Sequence, residues 1–519
     1  KAAKFHKFTT LSLLVCSYRI IGTVFMKVIT HLVIGFLLLG LTAFSGVAAK
    51  NSVPVKTASS DEVKSIVDKM VAAYGGEALL QANSIKVVDY NKGPWPGEGE
   101  SPDVPELWRI NEELTIDYKN RRKGLLSYRV PRSTLDLEKW VQQGDTTIMY
   151  DILHEKYSEE SWANFDRLGA SLERSSDTLQ ARRLACLTAE LEYVGDEYFR
   201  GRVQHKLMLQ HASAERYTYF VDNTSGLIHK ILRQHPRAGD MLYVFSNHNT
   251  AAKVPFARDM NFFVNGQLRL SSVHRDLILE PDLAAAFSGY AHFTPWGETI
   301  DIAGLSAKKL SAGVYQAGKG RALTVFIEQA DHYIAMGAAE ALVENFAEIK
   351  KLSLQDKPLK YFVVTHHHNA NVRGLDNAVA LGATLILAAQ HQDTILKHAA
   401  AAQPDRLLLI PERAAFKLGD VMLYDIATAH AQHYLLAYLP SAGMVLAEDH
   451  YVTELKTAKP RIYHDMVRFA QVLDELKLDV KTLVDIRGWR QFSMKEFRQW
   501  TRDFTPKTCP AGYTICVNG

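Results

Sequence analysis

The chain has 519 residues, enough for roughly two to four domains. Hydrophobic residues make up 47% and charged residues 23%, an ordinary globular balance that excludes long disorder. The formal net charge is only +3, and no basic run or basic and aromatic patch stands out, so nucleic acid is not expected as a partner.

The first 49 residues predict an export signal. Met26-Lys27 precedes an apolar stretch, Val28 to Phe44, and the small residues after it end in a cleavage pattern, with cleavage expected after Ala49. Residues 1–25 begin without Met and are interpreted as upstream sequence. The alternative is a membrane anchor, for which Val28 to Phe44 is short. The mature chain is therefore expected to be periplasmic or secreted, meeting a membrane only through this segment.

The cysteines leave one question open. Cys509 and Cys516 flank a Pro-Gly-containing loop near the end of the chain and could pair in an oxidising compartment. Two unpaired thiols in a loose tail, residues 506–519, are the alternative.

Residues 60–295 predict a β-rich first domain. A helix begins with Ser59 and Glu62 at capping-box spacing and ends at Gly75-Gly76. The Pro/Gly-rich run Gly93 to Pro105 predicts a surface loop. Beyond it, the best-patterned segments alternate like strands rather than helices.

One hairpin in this domain carries a family resemblance. Tyr217 to Val221 and Leu227 to Leu232 are strand-like and flank the turn Asp222 to Gly226. A helix, a Gly-Gly pair and an antiparallel meander together resemble the half-barrel of periplasmic lipoprotein carriers. The resemblance implies a site for an apolar ligand such as a lipid chain, whereas a generic antiparallel sheet is the alternative.

Residues 300–505 alternate between strands and helices, which predicts a layered sandwich of sheets inside and helices outside. The predicted strands are Leu323 to Glu328, Tyr333 to Met336, Tyr361 to Val364, Leu385 to Ala388, Val421 to Ile426, Tyr434 to Leu439, Met444 to Ala447 and Thr482 to Ile486. The predicted helices are Ala338 to Lys351, Gly374 to Leu381, Asp393 to Ala401, His464 to Leu476 and Met494 to Asp503.

The segment Thr365 to Gly374, which follows one of these strands, contains two histidines one residue apart. His366 and His368 can aim both imidazoles at one point, a common start to a zinc site. The segment resembles the metal-binding loop of the metallo-β-lactamase fold, Thr-His-x-His-x-Asp-His-x-Gly-Gly. This resemblance covers roughly residues 305–505 and implies an α+β chain in which an αββα sandwich follows the half-barrel-like domain.

The resemblance extends to later strands. His430, before a strand ending in Leu439-Pro440, aligns with the last histidine of the family's first metal site, and Asp449 aligns with its bridging aspartate. His366, His368 and His430 are therefore the implied ligands of one zinc. The other second-metal positions are degenerate: Ala370, Asn371 and Arg487 stand where the family has an aspartate and two histidines. His367, His433 and His450 lie near in sequence, but a sequence does not place their side chains.

Two functions follow from this pattern. The first is a hydrolase of an ester, amide or related bond in a small molecule, in which the zinc-bound water is oriented by Asp449 and Arg487 stabilises negative charge. In this hypothesis Arg487 replaces the second cation and lies within about 6 Å of Asp449. The second is a non-catalytic periplasmic binding protein, without zinc at its degenerate centre, that holds a lipid-like ligand.

Overall fold

The computed structural model describes residues 60–130, 134–211, 213–451 and 453–516. The predicted signal segment lies outside these ranges, and so does Ser59, the predicted cap of the first helix. Within the described ranges, no helix is both long enough and apolar enough to span a membrane.

Residues 84–295 contribute the strands of one 14-stranded sheet, called the N-terminal sheet. The strands are β1 Ser84–Trp95, β2 Glu106–Asp117, β3 Arg122–Val130, β4 Asp136–Gln143, β5 Thr146–Asp151, β6 Lys156–Glu159, β7 Glu192–Phe199, β8 Arg202–Gln210, β9 Arg216–Asp222, β10 Ile228–His235, β11 Gly239–His248, β12 Ala257–Val264, β13 Gln267–Leu279 and β14 Thr294–Pro295. Their order is β14-β6-β5-β4-β3-β2-β1-β13-β12-β11-β10-β9-β8-β7. Consecutive strands pair antiparallel from β1 to β6 and from β7 to β13, and β1 pairs antiparallel with β13. The predicted antiparallel, β-rich first part of the chain is confirmed.

Short helices accompany this sheet. They are α1 Ser60–Ala73, α2 Glu77–Leu80, α3 Ala170–Ser175, α4 Asp177–Cys186 and α5 Leu283–Phe287, with a 3₁₀ turn at Thr188–Glu190. The buried residues of α1 recur at helical spacing and join the core of the sheet: Val63, Ile66, Val67, Met70 and Val71. The helices α3 and α4 interrupt a region whose clearest sequence signals are all strand-like.

The strands of residues 306–493 form two further sheets. The seven-stranded sheet contains β15 Ser306–Ser311, β16 Val314–Lys319, β17 Ala322–Glu328, β18 Tyr333–Gly337, β19 Leu359–Val363, β20 Thr384–Ala388 and β21 Leu407–Ile410, in that order. The six-stranded sheet contains β22 Ala415–Leu418, β23 Val421–Ile426, β24 Tyr434–Leu439, β25 Met444–Ala447, β26 Thr482–Asp485 and β27 Gln491–Ser493, also in order.

The helices of this part are α6 Leu342–Ser353, α7 Asn369–Val372, α8 Leu375–Ala380, α9 Gln392–His398, α10 His464–Glu475 and α11 Met494–Arg502. Short 3₁₀ segments lie at Ala339–Ala341, Ala389–His391, Pro404–Arg406 and Thr514–Cys516.

The two sheets pack face to face around an apolar core. Val325 and Val363 of the seven-stranded sheet lie in one buried cluster with Leu435 and Leu446 of the six-stranded sheet. Separate buried clusters join the outer faces to helices, through Phe346 in α6 and through α10 and α11. The layers are therefore helix, sheet, sheet and helix, which confirms the predicted αββα sandwich.

The C-terminal tail returns to the N-terminal sheet. Cys509 and Cys516 form a disulfide, so the pairing that the sequence left open is present. Ile515 is buried beside Tyr128, its carbonyl oxygen accepts a hydrogen bond from Asn111 Nδ2 at 2.7 Å, and the tail thereby covers part of this sheet.

Candidate metal centre

Two loops bring three imidazoles to one point. His366 and His368 follow β19, and His430 precedes β24. The Nε2 atom of His366 lies 3.0 Å from Nδ1 of His368 and 2.9 Å from Nε2 of His430. All three side chains are buried. The ring nitrogens converge as three zinc ligands must, since zinc–nitrogen bonds are about 2.0–2.1 Å long.

Neighbouring groups orient two of these rings for metal binding. Nε2 of His368 lies 2.9 Å from the carbonyl oxygen of Gly99, which only accepts, so this nitrogen carries the proton. Nδ1 of His368 then keeps its lone pair toward the other two histidines. His366 is held on its far side, where Nδ1 lies 3.1 Å from Thr365 Oγ1. The donor set therefore fits a divalent metal ion.

Asp449 places its carboxylate against the triad. Its Oδ2 atom lies 3.6 Å from Nε2 of His366 and 3.7 Å from Nε2 of His430. The residue follows β25 and has a backbone φ of +63°, a conformation that is uncommon outside glycine but tolerated by aspartate. Such backbone strain is typical of functional sites.

Arg487 lies beside Asp449, as the sequence hypothesis requires. Its Nη1 atom is 3.3 Å from Asp449 Oδ1 and donates to Asn371 Oδ1 at 3.4 Å. Burial acts to lower the pKa of Arg487, but the carboxylates of Asp449, Glu448 and Asp485 outweigh it and hold the pKa above its ordinary value. A fixed positive charge therefore lies between Asp449 and Asn371, two residues that the resemblance aligns with second-metal ligands.

The other degenerate positions offer no second set of ligands. Ala370 lies in α7 and carries no donor atom. The amide nitrogen of Asn371 lies 2.8 and 3.0 Å from the two ring nitrogens of His366. Asn371 thus packs along the edge of one triad ring and links it to Arg487.

Sequence reasoning missed two buried carboxyl groups below the site. Thr365 Oγ1 hydrogen-bonds to Glu448, and burial together with Asp449 raises the pKa of Glu448 to about 7 against the opposing effect of Arg487. Asp485 accepts a hydrogen bond from the Arg487 backbone at 3.0 Å, and burial raises its pKa well above the usual range. The only sequence signal was their position next to the aligned strand ends.

The remaining nearby histidines have other surroundings. His450 stacks on Phe469 with ring centroids 4.5 Å apart, and Nδ1 of His433 lies 3.0 Å from Asp425. His367 packs against His391 at 4.7 Å, where burial lowers the pKa of His391 to about 3 and keeps that ring neutral. None of these rings belongs to the group of convergent ring nitrogens, which His366, His368 and His430 form among the described residues.

No family model matches the sequence, and no curated protein matches it. Among solved structures, the chain is similar to a metallo-β-lactamase from Hirschia baltica, at 15% identity over 38% of this chain and 95% of that one, with a TM-score of 0.30. The metallo-β-lactamase FIM-1 from Pseudomonas aeruginosa, in its mono-zinc form, gives 15% identity over 39% and 97%, with a TM-score of 0.31.

The sec-alkylsulfatase Pisa1 from Pseudomonas sp. gives 14% identity over 38% of this chain and 40% of that one, with a TM-score of 0.29. At such identities the likeness concerns fold and leaves activity open. The αββα layers and the convergent histidine triad make the C-terminal part of this chain metallo-β-lactamase-like.

Proposed function

We propose that the chain is a divergent metal-dependent hydrolase that uses one zinc ion to cleave an ester, amide or related bond in a small molecule. The observation that carries this proposal is the convergence of three buried imidazoles, since three neutral imidazoles leave an open coordination position of the kind used in catalytic zinc sites. Zinc held there would lower the pKa of a bound water to about 7.

The residues around the triad have complementary roles in this reaction. Asp449 accepts a hydrogen bond from the attacking water and orients it, because its carboxylate faces two of the three ligand nitrogens. Arg487 stabilises the negative charge that develops on the substrate oxygen. Its guanidinium is held by Asp449 and Asn371 yet stays 24% exposed, so it can reach a substrate.

We also propose that the mature protein works in the periplasm or outside the cell. The Cys509–Cys516 disulfide supports this, because such bonds persist in oxidising compartments.

Metal analysis of protein purified without added zinc tests the proposal. We expect about one zinc per chain, its loss in His366→Ala and His430→Ala, and its retention in His332→Ala. His332 is a suitable control because it precedes β18, which runs parallel to β19, and so lies at the opposite end of the sheet from the triad.

Chromogenic carboxylic esters, amides and sulfate esters then test hydrolysis with the same variants. Turnover that disappears in His366→Ala and persists in His332→Ala supports the proposal. A metal-free wild-type protein that co-purifies with lipid would contradict it and favour the non-catalytic binding protein.

A further inference from the structure

The loop between β1 and β2, residues 96–105, lies across the histidine loop although some 270 positions separate them in the chain. Asn369 makes two hydrogen bonds to this loop. Its backbone nitrogen donates to the Gly97 carbonyl at 3.2 Å, and its Nδ2 donates to the Pro96 carbonyl at 2.9 Å. On the other side of the triad, the backbone nitrogen of Gln432 donates to the Glu100 carbonyl at 2.8 Å. The expected surface loop is thus held over the triad by hydrogen bonds from Asn369 and Gln432.

The conformation of this loop depends on two glycines. Gly97 has a φ of +75°, and a Cβ atom there would lie 2.7 Å from the Asn369 side chain. A Cβ atom on Gly99 would lie 1.8 Å from the Val104 carbonyl oxygen. Larger residues would displace the loop, so its close approach to the triad is built into the sequence.

Glu98 is the acidic side chain that this loop brings to the triad. Its Oε2 atom lies 4.0 Å from Nδ1 of His368, the nitrogen that faces the other two histidines. Its Oε1 atom accepts a hydrogen bond from Asn369 Nδ2 at 3.1 Å, which turns the carboxylate toward the centre. The side chain is only 16% exposed. A carboxylate in this position lies within reach of a metal ion or of its bound water.

We propose that the loop of residues 96–105, which belongs to the N-terminal region of the same chain, completes the metal centre of the sandwich. Glu98 supplies a carboxylate beside the triad, and the Gly99 carbonyl fixes His368 in the tautomer that offers Nδ1 to the metal. The inference rests on the proposed function, since it requires a metal at the triad. A negative charge beside a divalent cation and a hydrogen bond to a ligand both strengthen binding, and loss of such partners typically weakens it about 10–100-fold.

Zinc titration of the metal-free, full-length protein tests this inference. We expect Glu98→Gln to bind zinc about 10–100-fold more weakly than the wild type. Glu100→Gln is the matched control, because it makes the same charge change on an exposed side chain of the same loop and keeps the backbone contact. The control is expected to bind within about twofold of the wild type.

Two further measurements separate a role at the metal from a role in folding. Cobalt-substituted Glu98→Gln should show a changed visible absorption spectrum, whereas cobalt-substituted Glu100→Gln should match the wild type. Nitrogen NMR of the metal-free wild type should show the proton of His368 on Nε2, and Gly99→Ala should lose that preference.

The outcomes are distinguishable. Wild-type protein with no affinity for zinc would overturn the proposed function and this inference together. Tight binding by the wild type, equal binding by Glu98→Gln and an unchanged cobalt spectrum would overturn only the inference.

Discussion

At the residue scale, one arginine lies where the sequence hypothesis places a positive charge instead of a second metal ion. The Arg487 guanidinium contacts Asp449 and Asn371, and the carboxyl groups of Glu448 and Asp485 lie close enough to raise its pKa. A family-type second site would hold a divalent cation in this acidic surrounding. The Arg487 guanidinium balances part of the negative charge of these carboxyl groups without needing metal ligands.

If Arg487 stands in for a second cation, replacing it with a metal ligand should allow a second metal ion to bind. The triple variant Ala370→Asp, Asn371→His and Arg487→His removes the fixed charge and returns three donor side chains beside Asp449. We expect zinc content to rise from about one to about two ions per chain, measured by elemental analysis on correctly folded protein.

Ala370→Asp alone is the control for the triple variant. With Arg487 retained, electrostatic repulsion opposes a second cation, so zinc content should stay near one ion. A triple variant that also stays at one would mean that Arg487 does not stand in for the missing metal.

At the scale of elements, a buried carboxylate anchors α4. Asp177 begins this helix, where the helix dipole favours a negative charge. It accepts hydrogen bonds from the Tyr74 hydroxyl at 2.8 Å and from the Ala257 backbone at 3.1 Å. One side chain therefore ties the end of α1 and the start of β12 to α4.

Replacing this carboxylate predicts a loss of stability with a defined pH dependence. Burial acts to raise the pKa of Asp177, but the nearby His248 and Arg275 outweigh it, and the folded-state pKa is lowered. Its contribution is thus present above the unfolded-state pKa of about 3.9 and is lost as pH falls through the folded-state value. Asp177→Asn should lower the free energy of unfolding by about 3 kcal/mol at pH 7, measured by urea denaturation.

Asp166→Asn, an exposed change in the loop before α3, is the control and should leave the unfolding midpoint unchanged. The loss caused by Asp177→Asn should shrink toward acidic pH. An equal loss at every pH would contradict the electrostatic explanation.

At the scale of the whole molecule, Arg461 joins the sandwich to the N-terminal sheet. Its guanidinium contacts Glu138 at 2.8 Å and Asp136 at 3.3 Å in β4, and Asp151 at 2.7 Å in β5. Burial acts to lower the pKa of Arg461, but these carboxylates, led by Asp151, hold it above its ordinary value. The Arg461 guanidinium thus forms ion pairs with three carboxylates of the N-terminal sheet.

Arg461→Ala should therefore weaken this junction by about 3 kcal/mol, because it leaves partly buried carboxylates without their cation. Hydrogen exchange measured by mass spectrometry should accelerate in β4 and β5. Arg461→Lys keeps the charge but loses the planar fork and should give an intermediate rate. Unchanged exchange in both variants would show that other contacts hold the junction.

The sequence predicted the sandwich better than the sheet before it. The strands Val421–Ile426, Tyr434–Leu439 and Met444–Ala447 match their predicted limits, because largely buried strands are short apolar runs bounded by turns. Five strands of the sandwich went unassigned, namely β15, β16, β21, β22 and β27, and all of them except β16 lie at a sheet edge. Edge strands carry weaker patterns because only part of their surface is buried.

The sequence by itself predicted the layered sandwich, because the periodicity of buried strands and helices is encoded in neighbouring residues. The four side chains His366, His368, His430 and Asp449 were implied by the resemblance of their segments to the metallo-β-lactamase fold. Only the tertiary structure laid residues 96–105 over His368 and placed Glu448 and Asp485 beside Arg487. Contacts between residues hundreds of positions apart depend on how sheets pack, and a loop rich in proline and glycine looks the same in sequence whether it faces solvent or a metal centre.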